Sequence, residues 1–117
     1  MSSVISVIKM NDMIWFNVPQ AFYHLMKYGK VYTLRDHVKT EGVHPLRSSL
    51  ALDPDVGKVY VSYITFIRRK EELQNYFKNS GFTSIDAWVK AAKGAPFLHE
   101  VSIIKKEPAK EREVIFA

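Results

Sequence analysis

The stretch Lys27-Tyr28-Gly29-Lys30-Val31-Tyr32-Thr33-Leu34-Arg35-Asp36 runs from the end of a helix into a strand and out into a long loop. Upstream, Pro19 suits a first helical position, where its missing N–H has no partner to lose. Phe22, Leu25 and Met26 recur at helical spacing, and Gly29 supplies the left-handed stop that many helices need. A helix is therefore expected over 18–28. Val31 to Leu34 is β-branched and aromatic and reads as a strand. Along a strand, successive side chains alternate faces. Val31, Thr33 and Arg35 then share one face, and Tyr32 and Leu34 the other. The second face suits the core, which turns Thr33 and Arg35 toward a groove roofed by the following loop. Lys30, at the strand mouth, is placed to reach the same space. A lysine, a hydroxyl and an arginine fork together suit an oxyanion or phosphate.

Working outward, Val4 to Lys9 alternates like a strand, Asn11-Asp12 signals a turn, and Met13 to Phe16 reads as a returning strand. Arg35 to Gly57 shows no period and holds Gly42, Pro45 and the DPDVG turn, so a long functional or mobile loop is expected. Val59 to Ile67 (VYVSYITFI) is the clearest strand, and Arg68-Arg69-Lys70 follows it directly. Glu71 to Lys78 reads as a short helix with Leu73, Tyr76 and Phe77 apolar. Gly81-Phe82 breaks it. Thr83 or Ser84 caps the next helix, with Thr83-x-x-Asp86 resembling a capping box. That helix packs through Ile85, Trp88, Val89 and Ala92 and ends at Gly94 and Pro96. Phe97 to Lys105 is a last strand. Strands with three short helices inserted favour an α+β fold, a small barrel or curved sheet, over a parallel α/β fold.

The chain has 117 residues, enough for one domain with its own core. The expected domain covers 1–106, with an extra N-terminal strand. A charged tail follows over 107–117, whose Val114-Ile115-Phe116 offers an edge strand or a homodimer contact. Seventeen Lys and Arg against twelve Asp and Glu leave a net charge of +5, which favours a polyanionic partner. Cysteine is absent, which excludes disulfides, thiolate nucleophiles and Cys-based zinc sites. The four histidines form no HxH or HxxxH pair, so no metal and no cofactor is expected. No apolar run approaches the roughly 20 residues of a membrane span, and the start lacks the pattern of a secretory signal. A cytoplasmic protein with no membrane partner is the expectation.

Taken in order, these segments resemble the ASCH family of the PUA-like superfamily. Its signature is close to Gly-x-Lys-x-x-(Glu/Thr)-x-Arg. Register on Arg35 puts Lys30 on the lysine and Thr33 on the Glu/Thr position, and Thr33-Leu34-Arg35-Asp36 matches the Thr-x-Arg-Asp branch. The glycine departs, since that position holds Tyr28 and Gly29 follows one residue later. Gly57-Lys58-Val59-Tyr60-Val61, Gly81 to Trp88 and Phe97 to Ile104 look like later family segments, so the resemblance covers most of residues 13–106. It implies a small PUA-like β-barrel that binds RNA or a nucleotide in a cleft, here around Lys27, Lys30, Thr33 and Arg35, with Arg68, Arg69 and Lys70 at its rim. Some small members are amidohydrolases on N4-acetylcytidine, using a Lys, a Thr and a Glu. Lys30 and Thr33 carry over as catalytic candidates, whereas the Glu position corresponds to Ser80, which cannot act as a carboxylate acid/base. The alternative is thus a small hydrolase, an amidohydrolase or ribonuclease, drawing its carboxylate from Asp36 or Glu41. Among other groups, His37 and His44 are acid/base or stacking candidates in the loop, and Trp15, Tyr28, Tyr32, Tyr60 and Tyr63 offer ring faces for a splayed base.

Overall fold

The computed structural model describes residues 12–106. Strand β1 (Ile14–Trp15) leads into helix α1 (Pro19–Tyr28). Then come β2 (Lys30–Arg35), β3 (Gly42–Arg47) and β4 (Asp55–Phe66). Two 3-10 turns (Lys70–Asn75 and Phe77–Asn79), helix α2 (Ile85–Ala91) and β5 (Phe97–Lys106) complete it. The five strands form one sheet in the order β1-β3-β4-β5-β2. The β1–β3 pair is parallel and the other pairs are antiparallel. The sheet curls into a half-barrel, so its two edge strands come close enough for a side chain to join them. The expected α+β class with a barrel-like sheet and few short helices is what the chain adopts.

Helix α1 plugs the concave side. Ala21, Phe22 and Leu25 pack with Ile14, Phe16, Val31, Leu46, Val59, Val61 and Val101. Burying an aliphatic or phenyl side chain of this kind contributes about 1.5–3 kcal/mol. The convex side carries a second core, in which Leu34 and Leu98 meet Leu73 of the first 3-10 turn and Trp88 of α2. Strand β2 is therefore buried on both faces. The alternation expected from its sequence holds, but the Val31 face belongs to the barrel interior, and the Tyr32 and Leu34 face is covered by the 3-10 turns and α2.

Several expectations need correction. Residues 35–57 are not one irregular loop, because β3 occupies Gly42–Arg47 and β4 begins at Asp55. Pro45 hides the pattern. It lies where β1, which reaches only Leu46 and Arg47, leaves one side of β3 open, so its missing N–H is tolerated. His44 and Leu46 point inward and are buried. The strand expected over Met13 to Phe16 is present as Ile14–Trp15 and pairs in parallel with β3, while its expected hairpin partner lies outside the described residues. The helix expected over 71–78 is two 3-10 turns, broken at Tyr76 where φ opens to −117°. Ser84 alone caps α2, its Oγ accepting from Ala87 N–H, so Thr83 and Asp86 form no capping box. The strand expected over 4–9, the tail over 107–117 and the edge strand at Val114-Ile115-Phe116 lie outside the described residues. Among those residues no helix is long and apolar enough to cross a membrane.

Candidate functional site

A cavity of about 540 Å³ opens where the end of β2, the β1–α1 link and the α2–β5 turn meet. Thr33, Leu34 and Arg35 line one wall, Trp15 to Val18 and Ala21 a second, and Trp88 with Ala91 to Pro96 a third. Phe82 completes the aromatic part of the lining.

Arg35 governs the electrostatics of this space. Its Cζ lies 4.6 Å from the Phe16 ring centroid, a cation–π contact. Nη1 donates to the Trp15 carbonyl at 2.9 Å, while Nε is buried and unpaired. Burial pushes the guanidinium down to about 10, with Asp36 working weakly the other way. It therefore carries its charge at neutral pH with no carboxylate in hydrogen-bond contact among the described residues. Asp36 also lines the cavity, but its carboxylate bonds His37 Nδ1 at 2.7 Å and stands largely in solvent. Lys93 adds a second cation at the α2–β5 turn.

The neighbouring strand supports this arrangement through His99, which faces Thr33 across the β2–β5 pair. Lys39 N–H donates to His99 Nε2 at 2.9 Å. Because that nitrogen accepts, the ring proton sits on Nδ1, which donates to the Phe97 carbonyl at 3.0 Å. The ring is thus neutral. Burial lowers its pKa most, Arg35, Lys39 and His37 lower it further, and the Phe97 carbonyl opposes them. It secures the segment between β2 and β3 beside the cavity wall.

The residues expected to act together are partly separated. Thr33 and Arg35 share the cavity. Lys30 lies on the opposite face of β2, 3.0 Å from Glu100 and over the Tyr32 ring. The Glu100 hydrogen bond raises its pKa most, followed by that carboxylate's charge. Lys27, in the last turn of α1, sits over Tyr28. Arg68 and Arg69 are exposed. Lys70 pairs with Asp86 at 2.8 Å across a shallower depression between the first 3-10 turn and α2. The run nevertheless begins next to the cavity, since Ile67 N–H donates to Pro96, a lining residue. Ser80 is fully buried and holds a turn: its hydroxyl donates to the Phe77 carbonyl and Phe82 N–H donates to it. Glu41 accepts from the Tyr60 hydroxyl. His44, expected in a loop, is a buried strand residue with each ring nitrogen 2.6 Å from a carbonyl, of Asp12 and of Thr40. His37 remains exposed beside Asp36.

Sequence reasoning missed Phe16, Trp88, Lys93 and His99 as parts of the site. Only the spacing of Phe16 and Trp88 from Arg35 in the fold reveals them. A readable signal did exist at α1, where Val18 stands before Pro19 in place of a capping Ser, Thr, Asp or Asn. Compared with family models, with curated proteins and with solved structures, the chain matches none.

Proposed function

We propose that this chain is an RNA- or nucleotide-binding module whose cleft is the cavity at Thr33 and Arg35. The observation that carries the reading is the Arg35 guanidinium. It is half-buried at an aromatic-lined cavity, with Nε out of solvent and unpaired and no carboxylate partner, although charges taken out of water are ordinarily paired. An acceptor-rich planar ligand satisfies the fork and stacks on the rings at once. The net charge of +5 and the Arg68 to Lys70 run beside Pro96 suit a polyanion that extends past the cavity. The curled sheet and the order of the motifs support a PUA-like barrel, and the absence of cysteine supports a cytoplasmic setting. Binding is favoured over hydrolysis because Lys30 and Thr33 lie on opposite faces of β2.

Fluorescence anisotropy with labelled single-stranded RNA tests the reading. Affinity is expected to fall steeply from 50 to 200 mM salt, and Arg35→Met is expected to weaken binding by about tenfold or more. The absence of RNA or mononucleotide binding at low salt overturns it.

A further inference from the structure

The concave face of the sheet continues past the part that α1 covers. Beyond the core row of Val31, Val101 and Val61, two further rows cross β2, β5 and β4 on the same face. Thr33, His99 and Tyr63 form the first, and Arg35, Phe97 and Phe66 the second. Tyr63 and Phe66 are three residues apart, a spacing that puts side chains on opposite faces of a regular strand. A register shift between Tyr63 and Thr65 inserts Ile64 as an extra residue and turns Phe66 back to the face of Tyr63. Both rings then meet Phe97, at centroid distances of 6.1 and 5.3 Å, and Tyr63 also meets His99 at 5.5 Å.

These rings serve neither core. Tyr63 and Phe66 keep 37% and 41% of their surface in solvent, and neither they nor Phe97 belong to the cluster under α1 or to the one around Trp88. β3 pairs with β4 only as far as Val61, so among the described residues Ser62 to Phe66 pair with β5 alone. The bulge thus interrupts the ladder to align rings that the fold leaves exposed.

Cations flank the rings on both sides. Lys39 N–H holds His99 Nε2, and the Lys39 charge acts on His99 and on Arg35. Burial first and the charge of Arg35 second lower the Lys39 pKa, with Asp12 and Asp36 opposing. Among the described residues no carboxylate forms an ion pair with Lys39. On the other side, β4 runs out of Phe66 into the exposed Arg68 and Arg69. Glu72 accepts from the Arg68 backbone N–H and not from its guanidinium. Neither row contains a carboxylate. Exposed rings between unpaired cations suit a nucleic-acid strand, whose bases stack while its phosphates meet the charges. An apolar peptide would use the rings and leave the cations idle.

We propose that Tyr63, Phe66 and Phe97 form a stacking platform for the bases of a single-stranded RNA that runs from the cavity across the sheet toward Arg68 and Arg69. This rests on the reading of the cavity as an RNA or nucleotide site and makes the ligand a strand rather than a mononucleotide.

The test titrates the protein with adenosine monophosphate and with hexa-adenylate at low salt. The strand is expected to bind about tenfold more tightly, or better. Replacing both rings, Tyr63→Leu with Phe66→Leu, is expected to weaken the strand by about tenfold and leave the mononucleotide and the melting temperature unchanged. Tyr63→Phe keeps the ring and is expected to bind like the parent, which separates stacking from a general loss of packing. A double variant that binds the strand as the parent does overturns the platform and leaves the cavity reading standing. Equal losses for both ligands also overturn it, because the rings would then act only through the cavity. No binding of either ligand by the parent overturns both readings. Sedimentation supplies the remaining outcome: a parent that self-associates and a double variant that does not would assign the rings to a second copy and overturn the proposal.

Discussion

Arg35 Nη1 donates to the carbonyl of Trp15 at 2.9 Å, and this bond joins β2 to β1, the two edges of the half-barrel. A side chain thus bridges the seam that backbone pairing leaves open. The same guanidinium is buried with Nε unpaired, so one residue both holds the seam and carries a desolvation cost.

Replacing Arg35 by Met separates those effects. Losing the seam bond and the cation–π contact costs about 2–3 kcal/mol, and removing a poorly paired buried charge recovers several. Urea unfolding of Arg35→Met is expected to give a stability within about 1 kcal/mol of the parent, or above it. A loss of more than about 3 kcal/mol would mean that the bridge outweighs the burial cost.

Gly81 approaches α1 more closely than any other residue type permits. A Cβ there would stand 2.3 Å from the Gln20 carbonyl oxygen and 3.0 Å from His24 Cβ, at a φ of +89°. Gly29 has a similar φ of +83° and open space around it. Gly29→Ala is expected to cost about 1 kcal/mol, from backbone conformation alone. Gly81→Ala is expected to cost about 3 kcal/mol, because backbone must also move. Equal losses in chemical denaturation would refute the tight contact. Because Gln20 belongs to the first turn of α1, Gly81→Ala also displaces one wall of the cavity.

His99 makes stability depend on pH in a definite direction. Burial first, and then the charges of Arg35 and Lys39 with a contribution from His37, hold its folded pKa below the ordinary 6.5. As pH falls through about 6.5 the unfolded chain gains a proton that the fold resists. The stability that depends on the neutral ring is complete above that pH and is lost progressively below it. His99→Gln, which keeps an acceptor for Lys39 N–H, is expected to lose less stability than the parent between pH 7.5 and 5.5. His24 and His44 are common to both chains and drop out of the difference, and His37, which acts on His99 through its charge, is removed from it by making the comparison in a His37→Gln background. Parallel stability curves for the two proteins would count against the assignment.

Local sterics were the most legible part of the sequence. Pro19 and Gly29 delimit α1 to within a residue, because a missing N–H and a left-handed φ act on their own neighbours. The alternation of β2 was equally plain. Which of its faces meets the core was not, since both are covered, by α1 on one side and by Leu73 and Trp88 on the other. β3 leaves no clear pattern in the sequence, because Pro45 interrupts a six-residue strand whose β1 neighbour spans two residues. Thr33 and Arg35 were singled out from spacing and do share a cavity. Lys30 is separated from them by the alternation itself, and it reaches diagonally across the sheet to Glu100. The remaining walls come from Trp15 and from the turn after Trp88, distant in the chain, where no local pattern reports proximity.

The β2–β5 pairing joins Lys30 to Ser102 and Arg35 to Phe97, the longest span in the sheet. Closing so long a loop is slow relative to forming the β3–β4 hairpin. The cavity thus depends on that closure. Its arginine, its α1 wall and its α2 wall come from segments that surround nothing until β5 pairs with β2. Local opening that peels β5 away would erase the binding site and the His99 anchor together while leaving the β3–β4 hairpin paired. Occupancy of the cavity would report the integrity of the most distant contacts in the chain.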